Sequence, residues 1–143
     1  MARADFRFSY PKRVRVSEID VAGVVFNARY LDYLDVAITE YFRAVRLGEG
    51  AGIGAPYLVA RTAISYRASI RFDELVDLAV RCTRVGTSSM TLAFEYHGPG
   101  EAEDLRSDGE TVIVHLDADG RPTPLPAALL AQVEAYEGRS LCA

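Results

Sequence analysis

Hydrophobic and polar positions alternate from residue 6 to residue 20. Phe6, Phe8, Tyr10, Val14 and Val16 share one parity, while Arg7, Arg13 and Arg15 take the other. That is the period of a half-buried strand, and Pro11 interrupts it, so the spacing predicts a strand over residues 13–19. Continued on the same parity, Glu18 and Asp20 fall on the side of the valines, toward the covered face. From residue 28 to residue 46 the period becomes helical. Tyr30, Leu31, Leu34, Ala37, Ile38, Tyr41, Phe42 and Val45 fill about half the wheel, and Asp32, Asp35, Thr39, Arg43 and Arg46 form a narrow stripe opposite. An arc that wide suits a helix wrapped by a sheet, with Asn27 as N-cap and Gly48 as the stop.

After a glycine-rich loop at residues 48–56, alternation returns over residues 58–72. Leu58, Ala60, Thr62, Ile64, Tyr66, Ala68, Ile70 and Phe72 make an apolar face, and the other face carries Arg61, Arg67 and Arg71. The run is long for one strand, so a bulge or bend is expected within it. Further strands are predicted at residues 77–85, 90–97 and 110–117, and a short helix at 127–136. The order is α+β: a curved antiparallel sheet around one long central helix, with residues 1–143 as a single domain.

Composition narrows the function. The chain has 143 residues, half of them hydrophobic, which suffices for a core without covalent staples. A net charge of −4 offers no basic face for nucleic acid. No apolar run approaches the length of a membrane span, and no secretory signal opens the chain, so a cytoplasmic protein with no membrane partner is expected. Cys82 and Cys142 have no metal or redox spacing and are expected as free thiols. With two histidines and no CxxC motif, no metal or other cofactor is expected. His97 and His115, on different strands, are expected at the surface or an interface, and no G-x-S-x-G elbow is present.

Three segments carry a resemblance, in order along nearly the whole chain: "RVRVSEIDVAGVVFNARYLDYLDVA", "ISYRASIRFDELVDLAVRCTRVGTSSM" and "GETVIVHLDADGRPTPLP". They resemble the hot-dog-fold acyl-CoA thioesterases of the 4-hydroxybenzoyl-CoA thioesterase type, whose signature sets D-x-x-G before a helix. The resemblance implies hydrolysis of a short-chain aliphatic or aryl acyl-CoA. Asp20 would be nucleophile or general base, and the Asn27 N–H at the helix start would receive the thioester oxygen. A helix N-terminus suits that task because its N–H groups and dipole oppose developing negative charge. Gly23 permits the tight turn and close approach of the acyl group, while Val25 and Phe26 exclude water. Tyr30 belongs to the expected acyl pocket, with Tyr33, Leu34 and Tyr57. Related enzymes often carry His or Tyr where this chain has Asn27, which can hydrogen-bond but cannot exchange a proton near neutral pH.

For the carrier arm, Ser88 and Ser89 are the expected contacts, and Arg67, with Arg61 and Arg71 or Arg13, Arg81 and Arg84, is the expected phosphate ligand. The carrier is CoA or an acyl-carrier protein. Other readings stay open. Asp20 as an Asx residue stabilises a turn without chemistry. Glu18 orients a neighbour or pairs with an arginine, and Asp32 and Asp35 belong to the polar stripe, with Glu40 next in line should Asp20 be idle. A non-catalytic acyl-binding module would use the same cleft, and a hydratase would need a His that Asn27 replaces. One sheet around one helix leaves an edge uncovered, so a homodimer or homotetramer is expected.

Overall fold

In-register apolar rows on the two central strands set the core. Strand β3 (Leu75–Val85) pairs with β4 (Ser89–His97) so that Leu78 meets Tyr96, Val80 meets Phe94 and Cys82 meets Leu92. All six are at most 1% exposed. They press against helix α1 (Arg29–Val45), whose Tyr30, Tyr33, Leu34, Ala37, Ile38, Tyr41, Phe42 and Val45 are buried at helical spacing. The computed structural model describes residues 3–46, 56–100 and 103–141. Its five antiparallel strands run in the order β1-β3-β4-β5-β2, where β1 is Phe8–Arg13, β2 Tyr57–Tyr66 and β5 Leu105–His115. This is the hot-dog architecture, a sheet lying along one long helix.

A second helix, α2 (Ala127–Glu137), closes one end of the sheet. Its Glu137 carboxylate accepts the Tyr41 hydroxyl at 2.5 Å and the Cys82 N–H at 3.1 Å, joining α2, α1 and β3. Burial pushes the Cys82 thiol up to about 12, so it is an inert core group. Cys142 and most of the glycine-rich loop lie outside the described residues. Among the described residues, no helix is long and apolar enough to cross a membrane.

Several expected elements sit differently. The first strand is Phe8–Arg13, and Val16–Glu18 is a 3₁₀ turn, not strand. Pro11 is tolerated because β1 is an edge strand paired only with β3, where the missing N–H breaks no interior ladder. The turn also ends the parity: Val16 is 70% exposed and Asp20 is exposed, while Glu18 is half-buried. On α1, Tyr33 and not Leu31 completes the buried arc, since Leu31 is 50% exposed. Ala28, not Asn27, occupies the N-cap, and no side chain caps it. The helix is entered through overlapping turns, Arg29 N–H to the Phe26 carbonyl at 2.8 Å and Tyr30 N–H to the Asn27 carbonyl at 3.3 Å, which leave Asn27 before the cap.

The long strand stops at Tyr66, and its pairing with β5 slips between Val59 and Arg61. That bulge turns Tyr57 and Val59, not Leu58 and Ala60, onto the side of Thr62 beneath α1. Strand β5 begins at Leu105, five residues earlier than the hydrophobic pattern suggests, because its first half is polar. His97 and His115 are buried, at 2% and 7% exposure, contrary to the expected surface or interface placement. His97 Nε2 lies 2.9 Å from the Glu95 carboxylate on the same strand face, and His115 is covered where its backbone bonds Ser88 and Thr123.

Candidate active site

Between β1 and α1 the chain folds back on itself over residues 18–26. Asp20 N–H donates to the Val24 carbonyl at 2.9 Å and Gly23 N–H to the Asp20 carbonyl at 3.0 Å, closing a four-residue turn. Gly23 has φ of 78°, a left-handed conformation that an L side chain resists and glycine takes freely. Ile19 bridges Val25, and Phe26 N–H reaches the Glu18 carbonyl at 2.9 Å. Val25 N–H then docks on the Ile70 carbonyl at 2.7 Å, which fixes the turn to the crossover after β2.

The Asp20 side chain serves this turn with one oxygen only. Oδ1 accepts the Ala22 N–H at 2.8 Å, as in an Asx turn, while Oδ2 has no hydrogen-bond partner among the described residues. Asp20, Val24, Val25, Asn27, Tyr30, Tyr66, Arg67, Ala68 and Ser69 line one cleft of about 440 Å³. At the helix start, the N–H groups of Asn27 and Ala28 donate to no acceptor among the described residues. They sit just ahead of the first helical turn, at the positive end of the helix dipole, in the cleft that Asp20 also lines.

Four tyrosines frame the helix start. The Tyr30 ring lies 4.8 Å from Tyr66, 5.9 Å from Tyr96 and 6.3 Å from Tyr33. Their hydroxyls act as ties: Tyr66 donates to the Asn27 carbonyl at 3.2 Å, Tyr96 to the Tyr30 carbonyl at 2.7 Å and Tyr33 to Glu18 at 2.9 Å. Burial raises the Tyr30 and Tyr33 hydroxyls above their ordinary range, so they hold their protons at neutral pH. Tyr66, assigned from the sequence only to an apolar strand face, is a wall of the cleft. The sequence alternation runs on past Tyr66, so only the end of β2 at that residue reveals its place in the cleft.

The expected site residues separate into two groups. Asp20, Val25, Asn27, Tyr30 and Arg67 line the cleft; Gly23 shapes its turn, and Phe26, 48% exposed, stands between Val25 and Asn27. Ser88 and Ser89 lie at the opposite end of β4, where Ser89 pairs with Val114, and are remote from Asp20 within one chain. Leu34 and Tyr57 line a separate apolar cavity of about 190 Å³ with Leu31, Ile38 and Val59. Arg67 is held by Asp108 at 3.0 Å and Arg61 by Glu110 at 3.1 Å, cross-strand pairs that are largely exposed. Glu18 pairs with Lys12, not with an arginine.

Cleft volume alone does not single out this site. A second cleft, of about 420 Å³, is lined by Arg3, Asp77, His97 and Asp104, and a third, of about 360 Å³, by Arg61, Glu95, Asp108 and Glu110. In both, the charged groups are paired with one another or with Arg67, Arg106 or His97, and neither is lined by the start of an α-helix. Among the described residues, no group of three or more His, Cys, Asp or Glu side chains is placed to hold a metal ion.

The sheet order and the single long helix are those of a hot-dog thioesterase fold. Residues 14–133 match the thioesterase-like superfamily, and the chain belongs to it. It is 26% identical over 129 residues to the acyl-CoA thioester hydrolase YbgC of Escherichia coli, covering 87% of this chain and 94% of that one. To the acyl-CoA thioesterase YbgC of Haemophilus influenzae it is 31% identical over 94 residues, 64% of this chain and 68% of the relative. The structure of a Thermus thermophilus thioesterase complexed with coenzyme A and zinc superposes with a TM-score of 0.79 at 29% identity, covering 94% and 98% of the two chains.

Proposed function

We propose that this protein hydrolyses a short-chain aliphatic or aryl acyl-CoA thioester, with Asp20 as the reacting carboxylate and the Asn27 N–H as oxyanion donor. The observation that carries the reading is the sharing of one cleft by Asp20 and the entry to α1: among the described residues, Asp20 Oδ2 has no hydrogen-bond partner and the Asn27 and Ala28 N–H groups, just before the helix, have no acceptor. The thioester carbon is attacked either by Asp20 Oδ2 or by a water from which Asp20 takes a proton. Negative charge moves onto the carbonyl oxygen, which the Asn27 N–H and the helix dipole meet. The C–S bond then breaks, and the products are a carboxylic acid and the thiol of the carrier. Where Asp20 attacks first, water hydrolyses the resulting anhydride and restores the carboxylate. Val25, buried in the cleft wall, strengthens these contacts by keeping water from one side of the reacting centre.

Arg67 lines the same cleft and suits the phosphates of the carrier. The carrier is CoA in this reading, and an acyl-carrier protein presents the same phosphopantetheine thioester. Strand β2 lies at the sheet edge with Leu58, Val59 and Tyr66 each 51% exposed, which supports assembly into a homodimer or homotetramer across that edge. A cytoplasmic, one-domain enzyme is the form this reading takes.

The test is release of free thiol from a panel of aliphatic and aryl acyl-CoAs, run beside the matching acyl-carrier-protein thioesters. Turnover of at least one CoA thioester is the expected result. Binding of the panel without thiol release would leave an acyl-binding module in place of an enzyme.

A further inference from the structure

The carboxylate two residues before Asp20 is built into the fold more firmly than Asp20 itself. Glu18 Oε1 accepts the Arg15 N–H at 2.8 Å, the Tyr33 hydroxyl at 2.9 Å and Lys12 Nζ at 3.1 Å, and Oε2 accepts Lys12 Nζ at 2.9 Å. Lys12 Nζ also sits 5.2 Å from the centre of the Tyr33 ring, so the three side chains form one cluster. It is largely shielded, with the Lys12 and Glu18 side chains 18% and 17% exposed, where an ion pair is stronger than at an open surface. Burial would raise the Glu18 carboxyl, but the Arg15 N–H, Lys12 and Tyr33 outweigh it and hold the group below the usual carboxylate range. With both oxygens engaged, Glu18 is not arranged to shuttle a proton.

What the cluster joins is the informative part. Lys12 belongs to β1, Arg15 opens the 3₁₀ turn and Tyr33 sits on the second turn of α1. The backbone bonds within 18–26 shape the Asp20 turn, and those to Ile70 and Phe72 dock it on the crossover. The Glu18–Tyr33 bond instead ties the 3₁₀ entry to that turn directly to the helix that Asn27 precedes. We infer that Glu18 is a positioning residue: through Tyr33 and Lys12 it sets the distance between the Asp20 carboxylate and the N–H donors at the start of α1. This rests on Asp20 as the reacting carboxylate. Misplacing a reacting group by about 1 Å costs about a hundredfold in rate, so a tie of this kind matters to turnover before it matters to binding.

The experiment compares Glu18→Ala, Glu18→Gln and Tyr33→Phe with wild type by steady-state thiol release and by amide hydrogen exchange. Glu18→Ala is expected to lower kcat about 10- to 100-fold with KM within about threefold, the pattern of a lost transition-state geometry. Glu18→Gln keeps an acceptor for the Arg15 N–H and the Tyr33 hydroxyl and should recover kcat to within about threefold of wild type. Tyr33→Phe, which cuts only the tie to α1, should fall between them. In Glu18→Ala the Phe26 amide, bonded to the Glu18 carbonyl, should lose protection about tenfold while Leu92 and Phe94 in β4 keep theirs. Unchanged kcat in Glu18→Ala, or equal loss in the alanine and glutamine variants, overturns the proposal. A wild type that turns over no thioester refutes the hydrolase reading separately; unchanged Phe26 protection in Glu18→Ala would then overturn the Glu18 role, and its loss with β4 intact would uphold the tie.

Discussion

Replacing Asp20 by Asn is expected to lower kcat by about 10²- to 10⁴-fold, the range that a general base or an attacking carboxylate contributes, with KM changed only a few fold. The substitution is clean for a structural reason. The Asx turn needs an acceptor for the Ala22 N–H, and the amide oxygen of Asn supplies it as Oδ1 does in the wild type. The turn, Gly23 and the docking on Ile70 are therefore kept, while the group that can attack or take a proton is lost. If Asp20 only stabilised the turn, Asn would be nearly silent and Ala the damaging change. Thiol release under saturating substrate, with circular dichroism and sedimentation to show an unchanged fold and assembly, separates the two.

The largest expected effect on stability is at Tyr96. Its side chain is fully buried, its ring lies 5.5 Å from Phe94, 5.9 Å from Tyr30 and 6.2 Å from Tyr33, and its hydroxyl reaches the Tyr30 carbonyl at 2.7 Å. Tyr96→Ala removes an aromatic ring from between α1 and β4 and should cost about 3–5 kcal/mol, as large-to-small changes in closed cores do. Tyr96→Phe should cost only about 1 kcal/mol, because the Tyr30 carbonyl lies inside α1 and is available to the helix's own ladder. Denaturant midpoints at one fixed protein concentration measure both, with an unchanged slope showing that the denatured state is comparable. A Tyr96→Phe loss as large as that of Tyr96→Ala would mean that the hydroxyl tie, not ring packing, holds the helix start.

The sequence made the strongest periods legible. Helix α1 is within one residue of its predicted span at each end, and β3 and β4 are within two, because their alternation is carried by residues such as Leu78, Val80, Leu92 and Phe94 that are fully buried. It misled where burial does not follow alternation. Pro11 reads as an interruption but sits in an edge strand, and the polar first half of β5, with Ser107, Asp108 and Glu110, is held by its place between β4 and β2. The bulge near Ala60 was foreseeable from length, but not its consequence of placing Tyr57 and Val59 beneath α1.

For the candidate site, the linear order of Glu18, Asp20, Gly23 and Asn27 was informative because the turn and helix start are local. Tyr66, Ala68 and Ser69 reach the cleft from the far end of β2 and the crossover, and nothing in their local pattern marks them. Lys12 does share the parity of Glu18, but it is the 3₁₀ turn at Val16–Glu18 that brings the two into contact. Ser88 and Ser89 were placed by resemblance alone, and within one chain they lie at the other end of the sheet.

The measurement that bears most directly on the site is a nuclear magnetic resonance titration with a non-hydrolysable acyl-CoA thioether that retains a carbonyl oxygen. The account predicts that the amides of Asn27 and Ala28 show the largest downfield shifts, as N–H groups do on donating to a new acceptor, with Val25, Tyr66 and Arg67 perturbed around them. Shifts centred instead on Glu95, Arg61 and Glu110, with the Asn27 and Ala28 amides unmoved, would contradict it.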